Sequence, residues 1–337
     1  MSQDQSAQLP WDAPGWLEQA TAWIEAQLGA QGYRIAGAIE TIHQRAWSTF
    51  ARVATDKGVV YFKAPAPAFG YEAGVTQFLT RLRPDCSVPL LAVDLERGWL
   101  LTADAGVTLR AASPGVEQIE HWVKVLPLYV DLQIDMTAHA PELLALGMYD
   151  RRPALLPDQY AALLEEAHSL RVGLEPGLTP DEHRRLLALR PQVAAWCEEL
   201  AAYGVPETLM HEEVHDANVL VGGQGYIFTD WSDSSIGHPF FSMLVILRAA
   251  AYRLKLPANG PEMRRLQDAY LEPWTKYAGR AELLAALRLA YRLAMIIRAL
   301  AWHHGTAALP EQYSEPYADY VPGWLQDFLN YDGSETL

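Results

Sequence analysis

His211-Glu212-Glu213-Val214-His215-Asp216-Ala217-Asn218, then Val219-Leu220-Val221, a glycine turn and Tyr226-Ile227-Phe228-Thr229-Asp230-Trp231, is the stretch that decides the fold. The β-formers on either side of Gly222, Gly223 and Gly225 predict a hairpin. A loop ending in Asn218 leads into its first strand, and its second strand ends in Asp230. The two sides of a hairpin lie about 5 Å apart, so a carboxamide oxygen and a carboxylate are expected to converge at one end of it. Two hard oxygen donors of this kind suit Mg²⁺. Glu213 stands on the same loop, where it would face an incoming hydroxyl.

Upstream of this stretch the pattern changes twice. Residues 13–30 place Trp16, Ala20, Trp23 and Leu28 at near-helical spacing, with Gly29 as the stop. The runs 35–42, 48–55 and 59–64 are short and rich in β-formers, and Asp56-Lys57-Gly58 joins the last two as a hairpin. Residues 70–82 read as a helix with Val75, Phe78, Leu79 and Leu82 on one stripe. Two more strands follow, 87–94 and 98–104, about a turn at 95–98. From Val107 onward the pattern is helical over 116–134, 157–171, 180–202, 261–278 and 281–304, interrupted by the one hairpin. The expected organisation is α+β. A small antiparallel-sheet lobe with a leading helix takes residues 1–103, and a larger, mainly helical lobe takes 104–337, with the join near Thr102 to Gly106.

Lys63 closes the third strand. Glu72 lies on the apolar stripe of the helix that follows, three residues before Val75. A carboxylate on a buried stripe is costly unless it is paired, and Lys63 is the expected partner.

The bulk properties bound the rest. A chain of 337 residues is too long for one ordinary core and predicts two domains or lobes. Half its residues are apolar and a fifth charged, the balance of a globular protein. The plentiful tryptophans and tyrosines read as core packing. A net charge of −15 argues against nucleic acid and anionic membranes as partners and mildly favours a cationic or amino-bearing small molecule. Cys86 and Cys197 are far apart and lack metal-ligand spacing, as expected of free thiols in a reducing compartment. The N-terminus has neither the basic start nor the apolar core of a secretory signal. No apolar run approaches the roughly 20 residues of a membrane span, and Arg298 interrupts the longest candidate. The expectation is a soluble cytoplasmic protein; no pattern encodes its oligomeric state.

The loop, hairpin and closing Asp resemble the H-x-D-x-x-x-x-N loop, hairpin and metal-binding Asp of protein-kinase-like folds. They resemble most closely the aminoglycoside phosphotransferase and choline kinase branch, where D-W replaces D-F-G, as in Asp230-Trp231. Two departures stand out. Glu213 occupies the position of the family's Asp, and His238 in Gly237-His238-Pro239-Phe240 stands where many relatives have G-D-P. Such HPF endings are associated with a bacterial branch of mostly unassigned substrates. The resemblance covers nearly the whole chain and implies a bilobal protein-kinase-like fold with ATP between the lobes. It implies Lys63 on the α/β-phosphates, Glu72 holding Lys63, Mg²⁺ on Asn218 and Asp230, Glu213 orienting a hydroxyl, and His211 bracing the loop. The segment His43 to Thr49 falls where kinases place a phosphate-covering loop, which makes Ser48 and Thr49 candidate phosphate donors. Leu100 to Asp104 resembles the adenine-contacting hinge and brings in Thr102 and Asp104.

The expected activity is transfer of the ATP γ-phosphate to a hydroxyl of a small molecule, whether aminoglycoside-like, an amino alcohol or a sugar; the fold carries all of these. The alternative follows from Glu213. Its carboxylate reaches about 1 Å further than that of Asp, and misplacement on that scale costs about 10²-fold in rate. A nucleotide-binding pseudokinase is therefore the second reading, although Lys63, Glu72, Asn218 and Asp230 are all retained. A remote third reading uses His211-Glu212-x-x-His215 as the H-E-x-x-H signature of zinc hydrolases, which requires both histidines on one face of a helix. The β-run after Asn218 and the preceding Gly204 and Pro206 argue against that helix. His215 reads as a local loop histidine, Asp233 as a surface carboxylate or a substrate contact, and His303-His304 as charge at a helix terminus.

Overall fold

Strand-forming residues from Ile35 onward build the core of one compact unit, residues 1–107, 220–232 and 305–316. In the computed structural model, which describes residues 8–334 other than Gln224 and Ala308, five strands make an antiparallel sheet. They are β1 (Ile35–Gln44), β2 (Ser48–Thr55), β3 (Gly58–Pro65), β4 (Leu90–Asp94) and β5 (Trp99–Ala103), in the order β1-β2-β3-β5-β4. Lys63 lies on the central strand, opposite Phe50 of β2 and Leu100 of β5. Helix α1 (Trp16–Ala30) buries Ala20, Ile24 and Leu28 in a core shared with Val53, Val60, Phe62 and Leu101. Trp16, Trp23 and Phe62 meet Trp99 edge-on at 5.9, 5.6 and 5.6 Å between ring centroids. Each such pair adds about 0.5–1.5 kcal/mol beyond its buried area.

Helix α2 (Glu72–Leu82) differs in one respect from the expected stripe. Val75 and Leu79 are buried, but so are Glu72 and Thr76, while Phe78 is half-buried and Leu82 is 37% exposed. The helix is turned so that a carboxylate faces inward, a rotation that costs free energy unless a cation waits there.

The second unit comprises residues 108–219, 233–304 and 317–337. Its helices include Gln118–Met136, Arg190–Ala202, Met243–Leu254, Pro261–Leu271, Arg280–Ala307 and Tyr320–Asn330. Three expected helices are shorter or broken. The 180–202 helix divides before Arg190-Pro191, and the 261–278 helix ends at Leu271, ahead of Pro273. Proline has no N–H to give and crowds the preceding turn. The 157–171 helix is two short pieces, Leu156–Leu163 and Ala167–Leu170.

The larger difference is a three-stranded sheet that the sequence pattern did not reveal. Its strands are Tyr149–Arg151, Ser234–Gly237 and Thr208–His211, with Ser234–Gly237 in the middle, parallel to the first and antiparallel to the last. Every residue of Ser234–Gly237 and Thr208–His211 is buried. Strands covered on both faces lose the period-two alternation that identifies a strand in sequence. Among the described residues no helix is long and apolar enough to cross a membrane. Cys86 and Cys197 are buried and unbridged.

Candidate active site

In the first unit the inward-facing carboxylate of α2 meets its cation. Lys63 Nζ donates to Glu72 Oε1 and to Asp230 Oδ1, each at 2.6 Å. Asp230 is delivered by its own chain. The strand Gly225–Phe228 is hooked onto the segment after α2, with Phe228 N–H donating to Cys86 C=O at 2.9 Å and Ser87 bridging Phe228. The backbone then turns through φ 67° at Asp230, a left-handed conformation in which Asp is among the best tolerated side chains. Ser232 Oγ donates to Asp230 Oδ1 at 2.7 Å, and Tyr71 OH donates to Ser232 C=O.

Burial works against the Lys63 ammonium, but the Asp230 and Glu72 carboxylates outweigh it and hold its pKa above the usual lysine value. Burial pushes the Glu72 carboxyl up, against the pull of Lys63. The result is a fixed cation between two carboxylates. One is enclosed at 2% exposure, and the other, Asp230, is 42% exposed and accessible to an incoming ligand.

Ser48 and Thr49 are placed at the start of β2 rather than in a loop, and both are buried. The turn itself is Arg45-Ala46-Trp47, closed by Arg45 N–H donating to Ser48 C=O at 2.9 Å. Thr102 lies in β5 opposite Tyr61. Asp104 follows the strand, its N–H donating to Val59 C=O at 3.1 Å and its carboxylate accepting from Gly106 N–H at 3.0 Å. Gly106 has φ 119°, and a Cβ there would sit 2.3 Å from Val221 C=O, so only glycine allows this approach.

In the second unit the loop after Thr208–His211 is braced from several sides. His211 is buried, its N–H donates to Tyr129 OH at 2.9 Å, and its Nδ1 accepts from Glu213 N–H at 3.2 Å. Gln133, on the same helix as Tyr129, donates to Leu209 C=O at 3.2 Å. Asn218 Nδ2 donates to Glu213 C=O at 3.1 Å. That bond fixes the orientation of the carboxamide. The premise of the H-E-x-x-H reading is not met, because His211 ends a strand and His215 lies in the turn after it.

Glu213 is held from two sides. Arg298 Nη2 donates to its Oε1, while Arg298 Nη1 donates to Glu212 C=O at 3.1 Å. On the other side His215 Nε2 lies 3.3 Å from Glu213 Oε2, and His215 Nδ1 accepts from Ala217 N–H, which leaves the ring proton on Nε2. Burial would raise the Glu213 carboxyl, but Arg298 and His215 outweigh it, and its pKa is lowered from the usual range.

The sequence profile of the phosphotransferase enzyme family matches residues 3–283. The chain belongs to that family. The phosphotransferase is similar in structure to Plasmodium vivax ethanolamine kinase Pv091845, with TM-score 0.63 and 13% identity over 94% of this chain and 89% of that one. It is likewise similar to choline kinase LicA from Streptococcus pneumoniae, with TM-score 0.59 and 15% identity over 94% and 99% of the two chains. A macrolide 2'-phosphotransferase type I gives TM-score 0.53 and 13% identity over 89% and 95%. At these identities the likeness establishes the protein-kinase-like fold. No curated protein matches the chain.

Several residues of the phosphotransferase take settings that the sequence pattern did not assign to them. Arg298 was noticed only as a break in an apolar run, yet a lone charge among Leu293, Ile296, Ile297 and Leu300 needs a buried partner. Asp216 is buried and held by Arg110 at 2.7 and 3.0 Å, anchoring the far end of the loop. His303-His304, expected as helix-terminus charge, behaves otherwise: burial and Arg151 push the His304 pKa down to about 3, so that ring is neutral. His238, the second departure from the family pattern, is buried, and its Nδ1 accepts from Phe240 N–H at 3.3 Å.

Proposed function

We propose that this phosphotransferase moves the γ-phosphate of ATP to a hydroxyl of a small molecule. The observation that carries the reading is the Lys63 ammonium, fixed between Glu72 and Asp230 at 2.6 Å from each. Such a cation, held by one enclosed carboxylate, is suited to nucleotide phosphates. Asp230 and Asn218 are the oxygen donors proposed for Mg²⁺. They fit, since Mg²⁺ takes one or two protein oxygens and fills its shell with water and phosphate. When bound, the metal neutralises charge on the phosphates. Thr102 and Asp104 are proposed at the adenine end through their backbone groups. Ser48 and Thr49, with buried side chains, support the phosphate-covering turn rather than offer their hydroxyls to phosphate.

Glu213 orients the acceptor hydroxyl. Each carboxylate oxygen has two acceptor sites, so the bonds from Arg298 and His215 leave one site open on each oxygen. A carboxylate with a lowered pKa is a weak base, which is sufficient where the transition state is loose and the attacking oxygen keeps its proton late. The acceptor oxygen forms a bond to the γ-phosphorus as the bond from that phosphorus to the β–γ bridging oxygen breaks. The electron pair leaves with ADP, and the hydroxyl proton passes to Glu213 and on to solvent. His211 and Arg298 position the loop and do not react.

One observation favours the second reading, a nucleotide-binding chain without turnover: both carboxylate oxygens of Glu213 already have partners. The deciding experiment measures ADP release with Mg²⁺ and ATP across a panel of hydroxyl acceptors, beside the thermal shift caused by ATP. ADP release that depends on an acceptor, and is lost in Lys63→Met, supports phosphotransfer. A thermal shift without ADP release supports the second reading, and the absence of both defeats the two together.

A further inference from the structure

Asp230 is held by more than Lys63. Ser232, two residues further on and 9% exposed, donates from Oγ to Asp230 Oδ1 at 2.7 Å. The Lys63 ammonium donates to that same oxygen at 2.6 Å. Ser232 is itself tied down, because Tyr71 OH donates to its C=O. Trp231, between the two, is 1% exposed, and its N–H adds to the pull of Lys63 on the Glu72 carboxyl.

These bonds close a ring within the first unit. Tyr71 and Glu72 stand at the start of α2, Lys63 on β3, and Asp230 and Ser232 in the turn after Gly225–Phe228. Glu72 holds Lys63, Lys63 holds Asp230, Ser232 holds Asp230, and Tyr71 holds Ser232. The ring has two consequences. It pins the backbone at Asp230 in its φ 67° conformation, which persists in a residue other than glycine where the surroundings impose it. It also allots the two oxygens of the carboxylate. A carboxylate oxygen has two acceptor sites, and Lys63 and Ser232 take both sites of Oδ1. The Asp230 side chain is still 42% exposed, so a metal that it takes is met through Oδ2.

The number of oxygens offered bears on which cation is accepted. Mg²⁺ demands a near-ideal octahedron at about 2.0–2.1 Å and keeps much of its water, so one carboxylate oxygen suits it. Ca²⁺ is larger, takes about 6–8 oxygens and accepts both oxygens of one carboxylate. To be chelated in that way by Asp230, it has to displace a donor from Oδ1. The Lys63 ammonium is shared with the nucleotide phosphates in the proposed reaction. The Ser232 hydroxyl is not, so it is the group that keeps Oδ1 occupied once nucleotide is bound.

We propose that Ser232 is a specificity-determining residue for the metal: its hydroxyl, held in place by Tyr71, confines Asp230 to a single metal-facing oxygen and so favours Mg²⁺ over Ca²⁺. The inference rests on Asp230 being a metal donor in the phosphotransfer reading. It depends neither on the identity of the acceptor nor on turnover.

The test therefore reads binding. The affinity of the full chain for the non-hydrolysable ATP analogue AMP-PNP is measured by titration calorimetry with Mg²⁺, with Ca²⁺ and with EDTA in place of either metal. Wild type is expected to bind more tightly with Mg²⁺ than with Ca²⁺. Ser232→Ala removes one hydrogen bond to a charged group, a change on the scale of about 10-fold. The preference for Mg²⁺ should shrink by about that factor, chiefly through tighter binding with Ca²⁺. Ser232→Thr keeps the hydroxyl and should keep the wild-type preference. A wild-type chain without preference, or a preference that does not follow the hydroxyl across the variants, overturns the proposal and leaves the phosphotransfer reading standing. Binding that is equally tight in EDTA shows that Asp230 is not a metal donor, and the absence of binding under every condition defeats the nucleotide reading; in both cases the proposal falls with the reading it rests on.

Discussion

Replacing Arg298 with methionine removes the cation that grips Glu213 and keeps much of the side-chain volume. The Arg298 side chain is 6% exposed and that of Glu213 is 25% exposed. Removing one partner of a fully buried pair costs about 3–5 kcal/mol. Water reaches part of Glu213 and takes over some of the lost bonding, so the expected loss is nearer about 2 kcal/mol, the scale of a hydrogen bond to a charged group. Most of the phosphotransferase then remains folded, and its kinetics stay measurable.

The kinetic effect is larger than the effect on stability. Without Arg298 the Glu213 carboxylate is free to move by about 1 Å, and kcat is expected to fall by about 10²-fold. The KM for ATP should not change, because Lys63 and Asp230 are untouched. Arg298 is a positioning residue, so two further readouts separate its role from simple packing. Loss of its charge raises the Glu213 pKa, which moves the acid limb of the kcat profile to higher pH. Arg298→Lys, which restores the charge, recovers part of the rate and returns that limb toward its original place. Stopped-flow or steady-state ADP release across pH 5–8, beside urea unfolding of each variant, makes the measurement. A folded Arg298→Met enzyme with wild-type kcat and an unmoved acid limb refutes the assignment.

Four other outcomes are expected. Lys63→Met leaves the enclosed Glu72 without its cation and lowers stability by about 3 kcal/mol, while the thermal shift by ATP disappears. Glu213→Asp, a return to the family residue, lowers kcat, since the shorter side chain falls about 1 Å short of the Arg298 that this chain supplies; equal or faster turnover contradicts that. His238, whose pKa burial pushes down to about 3 from 6.5, stays neutral when folded and takes up a proton when unfolded. Its contribution is complete above about pH 6.5 and is lost toward pH 3 at about 1.4 kcal/mol per pH unit, so His238→Asn should flatten the fall of the urea midpoint between pH 6.5 and 4.5. Gly106→Ala puts a methyl 2.3 Å from Val221 C=O at φ 119°, and a loss of at least about 1–3 kcal/mol should be visible as a lower unfolding temperature.

What the sequence disclosed and what it withheld divide along a physical line. The five-stranded sheet and α1 were legible because their apolar periods are local. Lys63 and Glu72 were legible because a carboxylate on an apolar stripe calls for a cation, and the nearest one lies nine residues away. The three-stranded sheet was not, since full burial erases alternation in Thr208–His211 and Ser234–Gly237. Arg298 and Glu213 are 85 residues apart, and Arg151 and His304 are 153 apart. No local period encodes such pairs. Proline is an uneven signal: Pro191 and Pro273 end helices, whereas Pro127 sits inside Gln118–Met136. That helix carries Tyr129 and Gln133, which bond the strand leading to the Glu213 loop, and tertiary bonding of this kind outweighs a single missing N–H.

The two departures from the family pattern share one logic. At position 238 an imidazole Nδ1 accepts the Phe240 N–H, a bond that a carboxylate oxygen would equally make at the start of a short helical turn. Burial keeps that ring neutral, so the acceptor survives while its charge is gone. At position 213 the charge survives while its reach changes, and the compensation is a guanidinium from outside the loop on one oxygen and the loop's own His215 imidazole on the other. In each case the hydrogen-bonding role is retained and the residue type is not. A comparison of residue letters scores both as losses. The geometry instead makes Glu213 and Arg298 one unit, and whether this loop supports turnover depends on the pair rather than on the carboxylate alone.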